Sequence, residues 1–357
     1  MIALEVSSAA GKPPFGGVGG MIRSLVGALL ELDRETTYPV CSRLERWWKG
    51  DLWRPSAPNA RVRVLVDPLN GWLLRGTKLF HSLAPYMPRT PRVTKLVTVH
   101  DLNAVRNAEW VSKSWHEKRS AKIGLAVARS DFVMTPSAFS ASEVCDQYGV
   151  PAERVFPILL GVDSTRFKPS APDVVRQLRE KHGDYAISIG LLTPRKNFIT
   201  LIEALARVPE LRLVLVGRGS DGEAAVEAAL DRTGMRARTV RMTGVPEAEL
   251  AALISAARVC AVPSLYEGFG LTPLEAMACG TPVVCSNAAS LPEAAGDAAL
   301  LVDARSSDAL EDALRRVIFD SALAADLRAR GFARANAMTW EASARALRAL
   351  HRKLAGA

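Results

Sequence analysis

Six short apolar runs in the second half of the chain restrict its fold more than any other feature. They are residues 185–190 (YAISIG), 211–217 (LRLVLVG), 239–243, 259–263, 282–286 and 299–302. Each is continuous rather than alternating, as expected of a strand buried on both faces of a parallel sheet. Amphipathic helical patterns lie between them, at residues 198–208, 221–233, 246–256, 273–278 and 307–319. This strand–helix alternation predicts a doubly wound, Rossmann-like domain. The first half repeats the theme less clearly, with strands expected at 2–7, 61–66, 95–100 and 132–136 and helices at 21–32 and 115–128. A chain of 357 residues exceeds one typical core, so two domains are expected. The stretch 169–173 (PSAPD) breaks the pattern and predicts a boundary there, giving domains 1–170 and 171–338.

Charge separates the two halves. Residues 1–170 carry a net +8 and residues 171–357 a net +1, which points to an anionic partner for the first domain. Tryptophans alternate with cations in ERWWKGDLWR (45–54), and a second basic cluster is KSWHEKRSAK (113–122). Such mixtures suit a bilayer interface, and equally suit solvated helix faces with half-buried tryptophans. No run approaches the ~18 apolar residues that span a bilayer. The N-terminus lacks the basic flank and apolar core of a secretory signal. Five cysteines with no CxxC spacing argue for free thiols and a cytoplasmic location, against a disulfide scaffold or zinc site.

In doubly wound sheets, ligands bind at the carboxyl ends of the strands, and the informative loops fall there. GGVGG (Gly16 to Gly20) follows the first strand, His100 and Asp101 the third, TPRK the YAISIG strand, and EGFG the strand at 259–263. The EGFG loop runs into a helix start. Its glycines bare the amides of Gly268, Phe269, Gly270 and Leu271, and the helix end adds partial positive charge, a cradle for a diphosphate. Glu267 and Glu275 flank it and can accept hydrogen bonds from ribose or sugar hydroxyls. Thr272-Pro273-Leu274-Glu275 also reads as a capping box, with Thr272 as N-cap. Arg195 and Lys196, opposite this cradle, would neutralise two phosphates. The rival reading makes them a solvated loop pair. GGVGG stands too far from its strand for a dinucleotide fingerprint, and no acid follows at the required distance. No Asp-x-Asp, serine elbow, HExxH or Walker A sequence occurs; phosphate charge then falls to cations and amides rather than to a metal.

These motifs resemble those of the retaining nucleotide-sugar glycosyltransferases of family 4, with the GT-B fold: two Rossmann-like domains facing across a cleft. The similarity spans nearly the whole chain and is strongest over 185–302. It rests on the E-x7-E element from Glu267 to Glu275, on GLLTPRKN, LVLVGRG and CGTPVVCSNAASLPEAAGDAALLVD, and on GGVG, TVHDL and GVDSTRF in the first half. The resemblance implies that Glu275 binds the ribose and that Glu267 contacts the transferred sugar. It gives the β-phosphate to the Phe269, Gly270 and Leu271 amides and the diphosphate charge to Arg195 and Lys196. His100 would lie beside the anomeric carbon, Gly16 and Gly17 near the donor, and Gly217, Arg218, Gly244 and Val245 around the base. The helix from Trp340 (339–357) would return to the first domain. Leu191 and Gly20 stand where arginine is frequent, and Leu160 where asparagine is, so phosphate binding falls to Arg195 and Lys196.

The expected activity is metal-independent, retaining sugar transfer from a nucleoside-diphosphate donor to a hydroxyl of a glycan or lipid-linked acceptor. GDP-mannose is the first expectation for the donor, and no cofactor is expected. The basic first domain could touch the inner face of a membrane. A nucleotide-sugar 2-epimerase of similar fold is the alternative, and no nucleic-acid module is present.

Overall fold

The computed structural model describes residues 1–10, 17–66, 69–88 and 93–356. Gly16 lies outside the described residues. The chain divides into two compact units: one of Met1–Ala108, Ser112–Leu160 and Trp340–Ala357, the other of Gly161–Thr339 with Glu109–Val111. The crossing comes at Leu160 and Gly161, before the PSAPD stretch. Pro172 does not sit in an open linker but opens the helix Pro172–His182, where a first-turn proline forfeits no hydrogen bond.

The first unit holds a seven-stranded parallel sheet of β1 (Ile2–Glu5), β2 (Tyr38–Arg43), β3 (Ala60–Leu65), β4 (Leu79–Ser82), β5 (Thr94–Thr98), β6 (Phe132–Thr135) and β7 (Val155–Pro157), in the order β3-β2-β1-β4-β5-β6-β7. Three of these strands, β2, β4 and β7, lack a clear sequence signal. Tyr38–Arg43 carries a proline and an arginine, and Leu79–Ser82 ends in His81 and Ser82; both are buried yet look polar. The helix expected at 115–128 spans Lys113–Ala128 and buries only Ile123, Ala126 and Val127.

The final helix, Trp340–Ala355, packs on Gly17–Leu32 in this unit. Arg348 approaches the buried Asp33 at 3.3 Å, and the Ser343 hydroxyl donates to the Leu159 carbonyl at 2.7 Å. Deeper in, His81 of β4 and His351 share a hydrogen bond of 2.9 Å between Nδ1 and Nε2. His81 Nε2 meets the Thr98 hydroxyl at 2.8 Å. All three side chains are buried. Burial pushes the pKa of His81 well below 6.5 and that of His351 down to about 3, so both are neutral at physiological pH.

The second unit holds a six-stranded parallel sheet of β8 (Tyr185–Ile189), β9 (Arg212–Val216), β10 (Thr239–Met242), β11 (Val259–Val262), β12 (Val283–Ser286) and β13 (Ala299–Val302), ordered β10-β9-β8-β11-β12-β13. All six were legible as continuous apolar runs. Their inward residues join Phe198, Leu201, Ile202 and Leu205 from one helix and Leu310, Leu314 and Val317 from another in a single core. In each unit the order reverses beside the first strand, β1 or β8, and such switch points open crevices at the carboxyl edge. The five cysteines are free, as expected, and all but Cys145 are buried.

A candidate nucleotide-sugar site in the second unit

After β8 the chain turns through Gly190 and a short 3-10 turn, Pro194–Lys196. After β11 it enters the EGFG loop and then the helix Leu271–Ala278. The two loops are knitted together. The Leu265 amide donates to the Arg195 carbonyl at 2.8 Å. The Asn197 amide group donates to the carbonyls of Pro263 and Ala304 at 3.2 and 2.6 Å. Asn197 holds a left-handed backbone, φ 54°, which asparagine tolerates better than most residues.

Charge is concentrated at this junction. Arg195 Nη1 lies 2.7 Å from Glu267 Oε2, and Lys196 Nζ lies 2.7 Å from Glu267 Oε1. Arg195 also donates to the Tyr266 carbonyl at 3.0 Å. Burial raises the Glu267 pKa, but Lys196 and Arg195 outweigh it and hold the carboxyl down at about 2. Lys196 reaches across Gly190: a Cβ there would come within 2.7 Å of Lys196 Cε. Glu267 and the two cations, expected to have separate duties, form one ion-paired triad. Their pairing also rules out the solvated-loop reading of Arg195 and Lys196.

The capping box is not used. Gly270, not Thr272, is the N-cap of Leu271–Ala278, and no side chain caps this helix. The helix therefore starts two residues early, with Glu275 in its second turn. Gly270 has φ 109°, a conformation costly for any side chain, and a Cβ would lie 2.7 Å from Leu291 Cδ2. The Ser290 hydroxyl lies within hydrogen-bond reach of the Glu267 and Phe269 carbonyls, at 2.7 and 2.8 Å. With the carbonyls held on that side, the amides of Phe269, Gly270 and Leu271 make no hydrogen bond to another described residue. Three bared amides at a helix N-terminus form an anion cradle.

Glu275 is half-buried, and burial, with Glu247 adding repulsion, pushes its carboxyl up to about 7. At neutral pH it is poised between acid and carboxylate. At the end of β9, the Gly217 amide donates to the Met242 carbonyl at 2.8 Å, so it serves the sheet and has no hydrogen left for a phosphate. A Cβ at Gly217 would lie 1.8 Å from the Gly190 carbonyl oxygen; glycine here lets β8 and β9 end side by side. Arg218 is exposed, Gly244 exposed with φ 65°, and Val245 half-buried.

In the first unit, His100 follows β5 and is buried, its Nε2 2.8 Å from the Leu83 carbonyl. A carbonyl only accepts, so Nε2 carries the proton and Nδ1 the lone pair. Burial lowers the His100 pKa to about 4. Gly17, with φ 59°, begins the helix Gly17–Leu32, whose start thus lies four residues before the one expected.

The family described as Glycosyl transferases group 1 matches residues 173–334. The chain is 34% identical over 291 residues to O-antigen chain mannosyltransferase B of Escherichia coli, covering 78% of this chain and 76% of that protein. It is 27% identical over 356 residues to the GDP-mannose-dependent alpha-(1-6)-phosphatidylinositol monomannoside mannosyltransferase of Mycolicibacterium smegmatis, covering 88% of each. Among solved structures, sucrose-phosphate synthase of Thermosynechococcus elongatus superposes with a TM-score of 0.79 at 25% identity, over 99% of this chain and 98% of the other.

Proposed function

Because the chain belongs to the group 1 glycosyl transferases, with the GT-B fold, we propose that it moves mannose from GDP-mannose to a hydroxyl of a glycan or lipid-linked acceptor, retaining the anomeric configuration without a metal. The observation that carries the donor half is the pairing of Arg195 and Lys196 with Glu267 beside three bared amides. A diphosphate leaving a sugar needs its growing charge met where it forms, and prearranged donors and cations do this without reorganising at the moment of reaction. Glu275 then accepts from the ribose hydroxyls and Glu267 from the transferred sugar. GDP-mannose is favoured because the Mycolicibacterium relative is GDP-mannose-dependent and the Escherichia coli relative is a mannosyltransferase.

Retention is carried over from the resemblance to the retaining family. Given retention, and with Glu267 already gripped by Arg195 and Lys196, attack of the acceptor on the face the diphosphate leaves is favoured over a covalent sugar intermediate. The departing phosphate, stabilised by Lys196 and Arg195, takes the acceptor's proton. The absence of any Asp-x-Asp sequence supports metal independence. Family membership favours transfer to an acceptor over 2-epimerisation.

The first unit is read as the acceptor side and as a peripheral membrane contact at the inner face. Trp47, Trp48, Trp72 and Trp115 are exposed there among lysines and arginines. Among the described residues no helix is long and apolar enough to cross a membrane. The deciding experiment is a thermal-shift screen of the whole protein against GDP, UDP and dTDP, with EDTA present. Stabilisation by GDP alone supports the reading, about 2.7 kcal/mol at 100 times Kd. Stabilisation by another nucleotide only, or by none until a divalent ion is added, would overturn the donor or the metal independence respectively.

A further inference from the structure

Four strand ends meet at the carboxyl edge of the first unit's sheet. Glu5 closes β1, Arg43 closes β2, Ser82 closes β4, and His100 lies two residues beyond β5. Register sets Glu5 beside both Cys41 and Ser82. Glu5 is buried and occupied: it accepts from the Ser7 amide and the Ser82 hydroxyl, each at 3.1 Å, with Arg43 Nε at 3.7 Å. Arg43 also pairs with Glu45 at 3.0 Å and lies 5.2 Å over the Tyr86 ring.

The helix Lys113–Ala128 adds two more cations, Arg119 and Lys122, three residues apart and so on one helix face. Arg119 lies within electrostatic reach of His100, and Lys122 within reach of Arg43 and Arg119. The carboxylates that Lys122 feels, Glu5 and Glu45, are both already bonded to Arg43. Among the described residues neither Arg119 nor Lys122 forms an ion pair or hydrogen bond; Arg119 rests 5.9 Å over the Trp115 ring. Burial first, then the repulsion of Arg43 and Arg119, lowers the Lys122 pKa. Three cations, Arg43, Arg119 and Lys122, against the two carboxylates Glu5 and Glu45 leave positive charge in excess, and an oxyanion set among them would offset it.

We infer that Arg119 and Lys122, with Arg43 behind them, bind an anionic group, a phosphate or carboxylate, carried by the acceptor. The guanidinium offers a planar fork, and the Tyr86 and Trp115 rings offer faces for sugar carbons. A solvated basic face accounts for exposed lysines elsewhere in this helix. It does not account for the half-buried Arg119, which comes within electrostatic reach of His100 at the strand ends, where such sheets bind ligands. The inference rests on the reading of this unit as the acceptor side.

Calorimetric titration of the whole protein, with mannose 6-phosphate and glucuronate compared against mannose, tests it. The anionic sugars should bind at least about tenfold more tightly than mannose. The Arg119→Gln/Lys122→Gln double variant should lose that preference, and Arg119→Lys/Lys122→Arg, which keeps both charges, should recover most of it. Lys196→Ala should leave it intact. Equal binding of charged and neutral sugars, or a preference that survives the double variant, would overturn the assignment. Binding of phosphatidylglycerol vesicles through these two residues, with no response to the soluble anions, would overturn it in favour of a bilayer. GDP stabilisation reports the second unit separately. Its persistence in the double variant keeps the donor reading apart from this one, and its absence in the wild type would fault only the donor reading.

Discussion

Glu267 and Glu275 stand eight residues apart, and their surroundings drive their acidities in opposite directions. Glu267 is held at about 2 despite burial, because Lys196 and Arg195 grip both its oxygens. Glu275 rises to about 7. Ribose hydroxyls donate to a carboxylate better than to an acid, so nucleotide binding should favour ionised Glu275. Affinity for GDP should then fall as pH drops below about 7, by up to tenfold per unit, and Glu275→Gln should flatten the profile; titrations from pH 5.5 to 8.5 check this. Lys196→Ala should reduce kcat by about two to three orders of magnitude, by analogy with a lost oxyanion donor. Full turnover in that variant would remove Lys196 from leaving-group stabilisation. The acids and cations of this site could be picked out from the sequence, because charged residues at the ends of apolar strands are conspicuous. Their mutual pairing could not, since Arg195 and Glu267 lie 72 positions apart in the chain.

At the scale of elements, glycines decide how closely the loops approach. Gly217→Ala forces a Cβ to 1.8 Å from a backbone oxygen of the neighbouring strand end, which cannot swing aside as a side chain would. Destabilisation of at least about 1–3 kcal/mol is expected, read as a lower urea midpoint. Gly270→Ala combines positive φ with contact against the mobile end of Leu291. It should cost about 1–3 kcal/mol and weaken GDP binding as well, because it tilts the bared amides. The helix starting at Leu271 also shows where local pattern misleads. Thr272 and Pro273 are good starting residues, yet Gly270 begins the helix because the loop, pinned by Ser290, delivers the chain there already turned.

For the whole molecule, acid should act unequally on the two units. His81, His100 and His351 are buried in the first unit with pKa values lowered by burial, His100 to about 4 and His351 to about 3. An unfolded histidine takes up its proton near 6.5, so the unfolded state gains protons first as pH falls. Stability of this unit should decline from about pH 6.5 down through 4. The depressed Glu267 acts later: its contribution to the second unit is present above 4.5 and is lost only as pH falls towards 2. The raised Glu275 works in the opposite sense, favouring the folded state below about 7. Urea unfolding followed by tryptophan fluorescence should report the early loss, since every tryptophan except Trp110 belongs to the first unit. A midpoint unchanged between pH 7 and 5 would contradict it. His351→Leu, which replaces a buried histidine by an apolar side chain, should shrink the decline provided His81 keeps its bond to Thr98.

The sequence alone determined the class of fold, the six strands of the second unit and the loops that carry its chemistry. Buried parallel strands must be continuous and apolar, and glycines and charges at their ends have few other uses. It left β2, β4 and β7 unseen because their buried polar residues, such as His81 and Ser82, are stabilised by partners far along the chain. Only the tertiary structure decided that Glu267 is bonded to two cations, that Glu275 titrates near neutrality, and that the last helix is pinned through His351 to β4. Each of these depends on burial and on distances between residues remote in sequence, and neither quantity is carried by local pattern.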